Sequence, residues 1–225
     1  MLELEIRLMN KMLKIGIPKL DGLLGGGLSV GCCALVLGSP KEKRVFSLLF
    51  LKHGLKEGHN CIFVSTENNI KKIEREIKTG LKFENVDERI RLIDCCYGEE
   101  IEPYIHSSLP ETIGHLNVVI TQSLADLMNP KPRRCVFSSI STLFACNEPE
   151  KVFGFVQSLK DNMKKFNSTC ILTLNEELHG NKTIEKIKEL VDVIIEIKNE
   201  DDNLLIRVSK IPTNNPINWT EIKFN

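Results

Sequence analysis

The chain has 225 residues, and its 30 lysines plus arginines stand against 30 aspartates plus glutamates, so it is formally neutral. At about 150 residues per domain this length suits one sizeable domain, and a makeup of 42% hydrophobic and 27% charged residues excludes a disordered or coiled-coil chain. A zero balance also excludes holding nucleic acid through a broad basic excess; such a role needs a local patch.

The first sixteen residues, MLELEIRLMNKMLKIG, alternate apolar and charged side chains and lack the basic head and long apolar stretch of a secretory signal. No apolar run reaches the ~18 residues of a membrane helix. The expectation is a cytoplasmic chain with no membrane partner. Eight cysteines, at 32, 33, 61, 95, 96, 135, 146 and 170, contain no C-x-x-C pair. Their Val/Leu/Ile-rich surroundings predict reduced thiols packed as small hydrophobes rather than a zinc or dithiol site.

In chain order, short apolar runs at 33–37, 61–65, 90–93, 135–137, 170–174 and 193–197 predict strands covered on both faces. Helical patterns separate them. One stripe is set by Val45, Leu48, Leu49 and Leu55; another by Val152, Phe155, Val156, Leu159, Met163 and Phe166, with Pro149 suited to a first helical turn. The helix around residues 71–78 mixes charge signs and predicts a solvent face with i,i+4 pairs. Loops are expected at 98–110 and at 129–134 (NPKPRR). Three runs close the chain, at 193–197, 204–208 and 219–224, joined by short polar links. The fold class is therefore α/β, a mostly parallel central sheet flanked by helices with antiparallel strands at its C-terminal edge.

The most specific stretch is residues 16–68. It opens GIPKLDGLLGGGLSVG, enters the strand CALVLG and continues SPKEKRVFSLLFLKHGLKEGHNCIFVSTEN. Gly16, Ile17, Leu20, Asp21, Leu23, Leu24, Gly25, Gly26, Gly27 and Leu28 match a G-[IV]-x-x-L-D-x-L-L-G-G-G-[IL] lead-in. This arrangement resembles the KaiC and RadA branch of the RecA-like ATPases, including archaeal KaiC-like and GvpD-like proteins. RIRLIDC, RCVFSSISTL, TLNEELHG and ELVDVIIEIKNED fall where that family has comparable segments. The resemblance implies a RecA-like P-loop NTPase fold in a single domain over 1–225, with 1–15 an N-terminal extension.

The chemistry departs from that pattern. A P-loop, G-x-x-x-x-G-K-[ST], wraps phosphates in bare backbone, reaches them with lysine and binds magnesium through a hydroxyl. From Gly38 this chain reads Gly38, Ser39, Pro40, Lys41, Glu42, Lys43, Arg44, Val45. Lys43 replaces the second glycine, Arg44 the lysine and Val45 the hydroxyl. In the register shifted by one, Lys43 becomes the phosphate lysine, yet Arg44 then stands at the hydroxyl position. The Asp that the family places after its apolar strand is Ser138. The acidic pair after the second strand is Glu67-Asn68, leaving Glu67 as a vestigial base position.

Gly38, Ser39, Pro40, Lys41, Lys43, Arg44 and Val45 are thus the candidate cofactor-binding residues. They read either as an anion-binding loop at a helix N-terminus or as a solvated charged turn. ATP or ADP is the nucleotide implied, and magnesium is not expected. Lys210 falls where the family supplies cations to a neighbouring subunit, but its companion position is Pro212, so it reads as an edge-strand lysine. Glu176, Glu177 and His179 read as a solvated or capping turn ahead of a metal site. Lys131, Arg133 and Arg134 form the best nucleic-acid candidate, without interleaved aromatics for stacking. The expected function is a non-hydrolysing regulatory or assembly protein with a protein partner; the alternatives are an ATP/ADP binder and a DNA-binding recombinase paralogue. The resemblance also implies self-association, as a ring or filament.

Overall fold

The computed structural model describes residues 12–67, 69–79, 86–96, 105–127, 132–201, 203–212 and 216–223. A short ribbon, β1 (Met12–Leu13) with β2 (Leu28–Ser29), brackets helix α1 (Pro18–Leu23). Then come β3 (Cys33–Leu37), α2 (Pro40–Lys56), β4 (Asn60–Ser65), α3 (Ile70–Lys78), α4 (Val86–Arg89), β5 (Ile90–Asp94) and β6 (Ile105–Ser107). The second half runs α5 (Ile113–Asp126), β7 (Arg133–Ser138), α6 (Ser141–Cys146), α7 (Pro149–Lys165) and β8 (Ser168–Thr173). It ends with α8 (Asn181–Leu190), β9 (Val193–Glu200), β10 (Asn203–Lys210) and β11 (Ile217–Ile222).

Among the described residues these strands form one nine-stranded sheet, ordered β11-β10-β9-β3-β8-β7-β4-β5-β6. The pairings from β9 through β3 to β6 are parallel; β9 with β10 and β10 with β11 are antiparallel. Every residue of β3, β4 and β8 is buried, as strands covered on both faces require. Alternate side chains serve two cores. Ala34, Val36, Phe63 and Val136 pack with Phe46 and Phe50 of α2 and with Ile73 of α3. Cys33, Leu35, Val64 and Phe137 pack with Leu116 of α5, Val156 of α7 and Ile187 of α8. No described helix is long and apolar enough to cross a membrane.

Several expectations are corrected. The buried face of α2 carries Phe46, Phe50, Leu51 and Leu55, while Val45, Leu48 and Leu49 are half-buried at its flank. The two phenylalanines, four residues apart, remove more area from water and so set the rotation of the helix. The 98–110 segment contains β6, whose three residues are too few to announce a strand by pattern. Within the stretch grouped by sequence with an extension, Met12 and Leu13 pair with β2, and Leu13 and Ile15 are buried. Arg133 and Arg134 open strand β7 instead of lying in a loop. Lys131 lies outside the described residues, as does Asn68.

Candidate functional site

The glycine-rich lead-in works as a scaffold. Both carboxylate oxygens of Asp21 accept backbone amides, from Ile15 at 2.6 Å and Gly16 at 3.0 Å, while Leu20 and Leu24 are buried beside it. Gly27 has φ +125°, and a Cβ there would stand 2.1 Å from the Leu13 carbonyl oxygen. Only glycine permits that approach of two backbones.

Beyond this scaffold β3 delivers the chain to the candidate nucleotide loop. Gly38 has φ +148°, and a Cβ would meet the Ile197 carbonyl oxygen at 2.5 Å, so the strand ends tight against β9. Ser39 is extended and its side chain caps nothing; Pro40 is already the first helical residue. Two residues therefore separate strand from helix, where a phosphate-wrapping loop takes several more. The Lys43 amide is spent inside the helix, donating to the Ser39 carbonyl at 3.1 Å. Proline has no amide to offer, which leaves Lys41 and Glu42 as first-turn donors without an intrahelical acceptor.

The side chains are committed as well. Lys43 is only 4% exposed. Its ammonium donates to the Leu174 carbonyl oxygen at 2.8 Å and to Asn175 Oδ1, and Asn175 Nδ2 donates to Glu67 Oε1 at 3.1 Å. Burial pushes the Lys43 pKa down, partly opposed by the carboxylates of Glu67, Glu177 and Glu176. Arg44 turns the other way and grips Glu76 of α3 with two hydrogen bonds, at 2.9 and 2.6 Å. Val45 is half-buried and Lys41 exposed.

At the carboxyl ends of β4, β7 and β8, hydroxyls tie the strands together. Thr66 Oγ1 donates to the Ser139 carbonyl and accepts its amide, each at 2.7 Å; Ser139 Oγ donates to the Thr173 carbonyl at 3.1 Å; Ser141 Oγ accepts the Asn175 amide at 2.9 Å. The Ser138–Ser139 peptide bond is cis. Between these ends and α2 lies a cleft of about 430 Å³, lined by Pro40, Lys41, Lys43, Arg44, Glu67, Ser138, Thr173 and Asn175. The structure thus gathers nearly all the candidates named from sequence around one cleft, with Gly38, Ser39 and Val45 flanking it. Such a place, outside the carboxyl ends of parallel strands, is where open α/β sheets bind ligands.

These residues do not fit a magnesium–nucleotide. Glu67, the carboxylate in the cleft lining, is held by Asn175, and of the amides that would wrap phosphate Pro40 has none and that of Lys43 is spent in helix α2. The sequence assigns Asn175 no role, and it places Glu76 on a solvent face with i,i+4 pairs, whereas Glu76 pairs with Arg44 of α2. Asn175 lies 132 residues from the lysine it binds, and no spacing rule links them.

Elsewhere the structure reassigns the remaining candidates. Arg134 is 0% exposed. It donates to the carbonyls of Lys14 at 2.6 Å and Phe50 at 2.8 Å, to His59 Nδ1 at 3.1 Å and to Glu57 at 3.2 Å. Arg133 donates to the Leu127 and Phe166 carbonyls. Arg134 is thus enclosed by the fold, and half-buried Arg133 spends Nε and Nη1 on backbone carbonyls. Lys210 lies on β10, inside the ribbon, and caps α8 by donating to the carbonyls of Lys188, Glu189 and Val191. His179 Nε2 pairs with Ser141 Oγ at 2.9 Å, its ring tilted against Phe144, while Glu176 and Glu177 are exposed. Among the described residues no three His, Cys, Asp or Glu side chains are grouped to hold a metal ion.

Comparison with known proteins bears on the fold that carries these clefts. A UPF0273 protein of Pyrococcus horikoshii is 28% identical over 161 residues, which cover 68% of this chain and 63% of the relative. The circadian clock protein KaiC3 of Synechocystis is 34% identical over 67 residues, 29% of this chain and 13% of its own. Mouse Elongator complex protein 4 is 35% identical over 78 residues, 33% of this chain and 18% of its own. The match therefore spans less than two thirds of the length of these relatives. A model of the KaiC ATPase family matches residues 13–212, nearly the whole described fold, and the chain belongs to that family, with its RecA-like α/β architecture.

Proposed function

We propose that this KaiC-family domain does not hydrolyse ATP and acts by binding, as a cytoplasmic regulatory or assembly protein with a protein partner or further copies of itself. One observation carries the reading. The first turn of α2 is wound through the positions of the phosphate loop, and the Lys43 ammonium is consumed by Leu174 and Asn175. Val45 and Ser138 bring no magnesium ligand comparable to the hydroxyl and carboxylate an ATPase needs. A mouse relative is named for the Elongator complex, in keeping with a role in assemblies. The recombinase reading loses support, because Arg133 and Arg134 are engaged within the fold.

The test is turnover by the purified chain with ATP and magnesium. None is expected; magnesium-dependent hydrolysis abolished by Glu67→Gln overturns the proposal. A second reading, nucleotide binding without hydrolysis, draws on the remaining cleft and on exposed Lys41 at its mouth. It requires a melting temperature raised by ATP or ADP, with the rise lost in Lys41→Glu.

A further inference from the structure

At the other end of α2 lies a second cleft, of about 980 Å³, away from the carboxyl ends of the strands. Leu49, Lys52, His53 and Lys56 line it from one face of α2, at helical spacing. Lys14, Gly16 and Pro18 line it from the lead-in, and the glycine turn after α1 adds Gly25 and Gly26.

The charges in this cleft are unbalanced, in a chain whose total is zero. The ammonium groups of Lys14, Lys52 and Lys56 have no hydrogen-bond or ion-pair partner among the described residues. His53 adds a ring nitrogen 3.3 Å from Glu57 Oε1. The acid in the lining, Asp21, is buried with both oxygens on backbone amides. The cationic wall is also rigidly founded. The Lys14 carbonyl is held by the buried Arg134 at 2.6 Å, and the next two amides by Asp21. Gly16, at φ +96°, lets the chain pass where a Cβ would lie 2.9 Å from the His53 Cβ.

We propose that this cleft binds a small phosphorylated ligand of nucleotide size. Lys14, Lys52 and Lys56 would face its phosphates, and Leu49 and Pro18 its less polar part. Phosphate is the chemistry that matches several lysines lining one cleft without a fork-shaped partner, because each group offers up to two charges and three acceptor oxygens. The volume lies in the range of small-molecule sites, about 300–1,000 Å³. This site shares no residue with the cleft at the strand ends, so its existence does not depend on whether that one is closed.

Calorimetric titration of the full chain with ADP and with inorganic tripolyphosphate tests it. Both are expected to bind, more weakly as salt rises. The double variant Lys52→Glu with Lys56→Glu is expected to weaken binding by at least about tenfold, and Lys41→Glu to leave it within about twofold. Tripolyphosphate binding without ADP binding supports the site and makes its ligand an inorganic polyphosphate. Absence of binding by both, or binding indifferent to the double variant, overturns the proposal. Loss through Lys41→Glu instead would place the ligand at the strand ends and overturn both this site and the closed reading of that cleft. Should the double variant fail to fold, Lys14→Glu alone reads the same wall.

Discussion

Helix α2 presents cations at both ends, and the two ends treat them oppositely. At its start Lys43 and Arg44 are each held by named partners, Leu174 and Asn175 for one and Glu76 for the other. Toward its finish Lys52 and Lys56 line an open cleft, with Lys14 beside them and no partner among the described residues. A count of positive residues marks the first end as the phosphate site. The satisfaction of those charges points to the second. What decides whether a cation is available is the set of acceptors that the fold brings within reach, and those come from strands and helices far away in the chain.

Substitutions can break or sharpen this contrast. The largest effect is expected for Arg134→Met, since Arg134 anchors the wall of the open cleft from inside. Its loss removes donors from the Lys14 and Phe50 carbonyls and one of the partners of Glu57, and about 3 kcal/mol of stability should vanish in urea unfolding. Lys43→Met keeps the stem but orphans Leu174 O and Asn175 Oδ1. Relief of the buried charge offsets part of that cost, so a loss of about 1 kcal/mol is expected. Lys210→Met uncaps α8 and should cost about as much or slightly less, read as earlier melting of the far-ultraviolet signal.

The closed end also has a pH signature. Burial lowers the pKa of His179, whose ring pairs with Ser141 beside Asn175. As pH falls below 6.5 the unfolded chain takes up a proton before the folded one does. Stability should therefore drop toward about pH 5, and His179→Gln should flatten that drop in urea titrations at the two pH values. The smallest effect is expected at the open end. Lys52→Ala with Lys56→Ala should change stability by less than about 0.5 kcal/mol, because neither ammonium holds a partner among the described residues. A large loss there would mean that these lysines are structural, and the contrast between the ends would fail.

Much of the architecture was legible in the sequence. The apolar runs at 33–37 and 61–65 became β3 and β4 within a residue, because a strand covered on both faces must be apolar at nearly every position. The antiparallel C-terminal ribbon was legible from three runs with short polar links. The face of α2 was less so. Val45, Leu48 and Leu49 satisfy the helical period as well as Phe46, Phe50 and Leu51 do, and only docking against the sheet chooses between them.

The candidate site divides in the same way. Sequence alone determined the family, the strand-to-helix turn after Gly38, and the departure of Lys43, Arg44, Val45 and Ser138 from the ATPase pattern, since these are statements about residue types at fixed spacings. Tertiary structure decided what the residues do. It buried Arg134, seen in sequence as part of a basic loop, and set Lys210 on the end of α8. It also closed Lys43 onto Asn175 and left Lys52 and Lys56 facing a cleft. The physical reason is that a charge is defined by its acceptors and its access to water. Both are set by segments that meet only when the sheet is assembled.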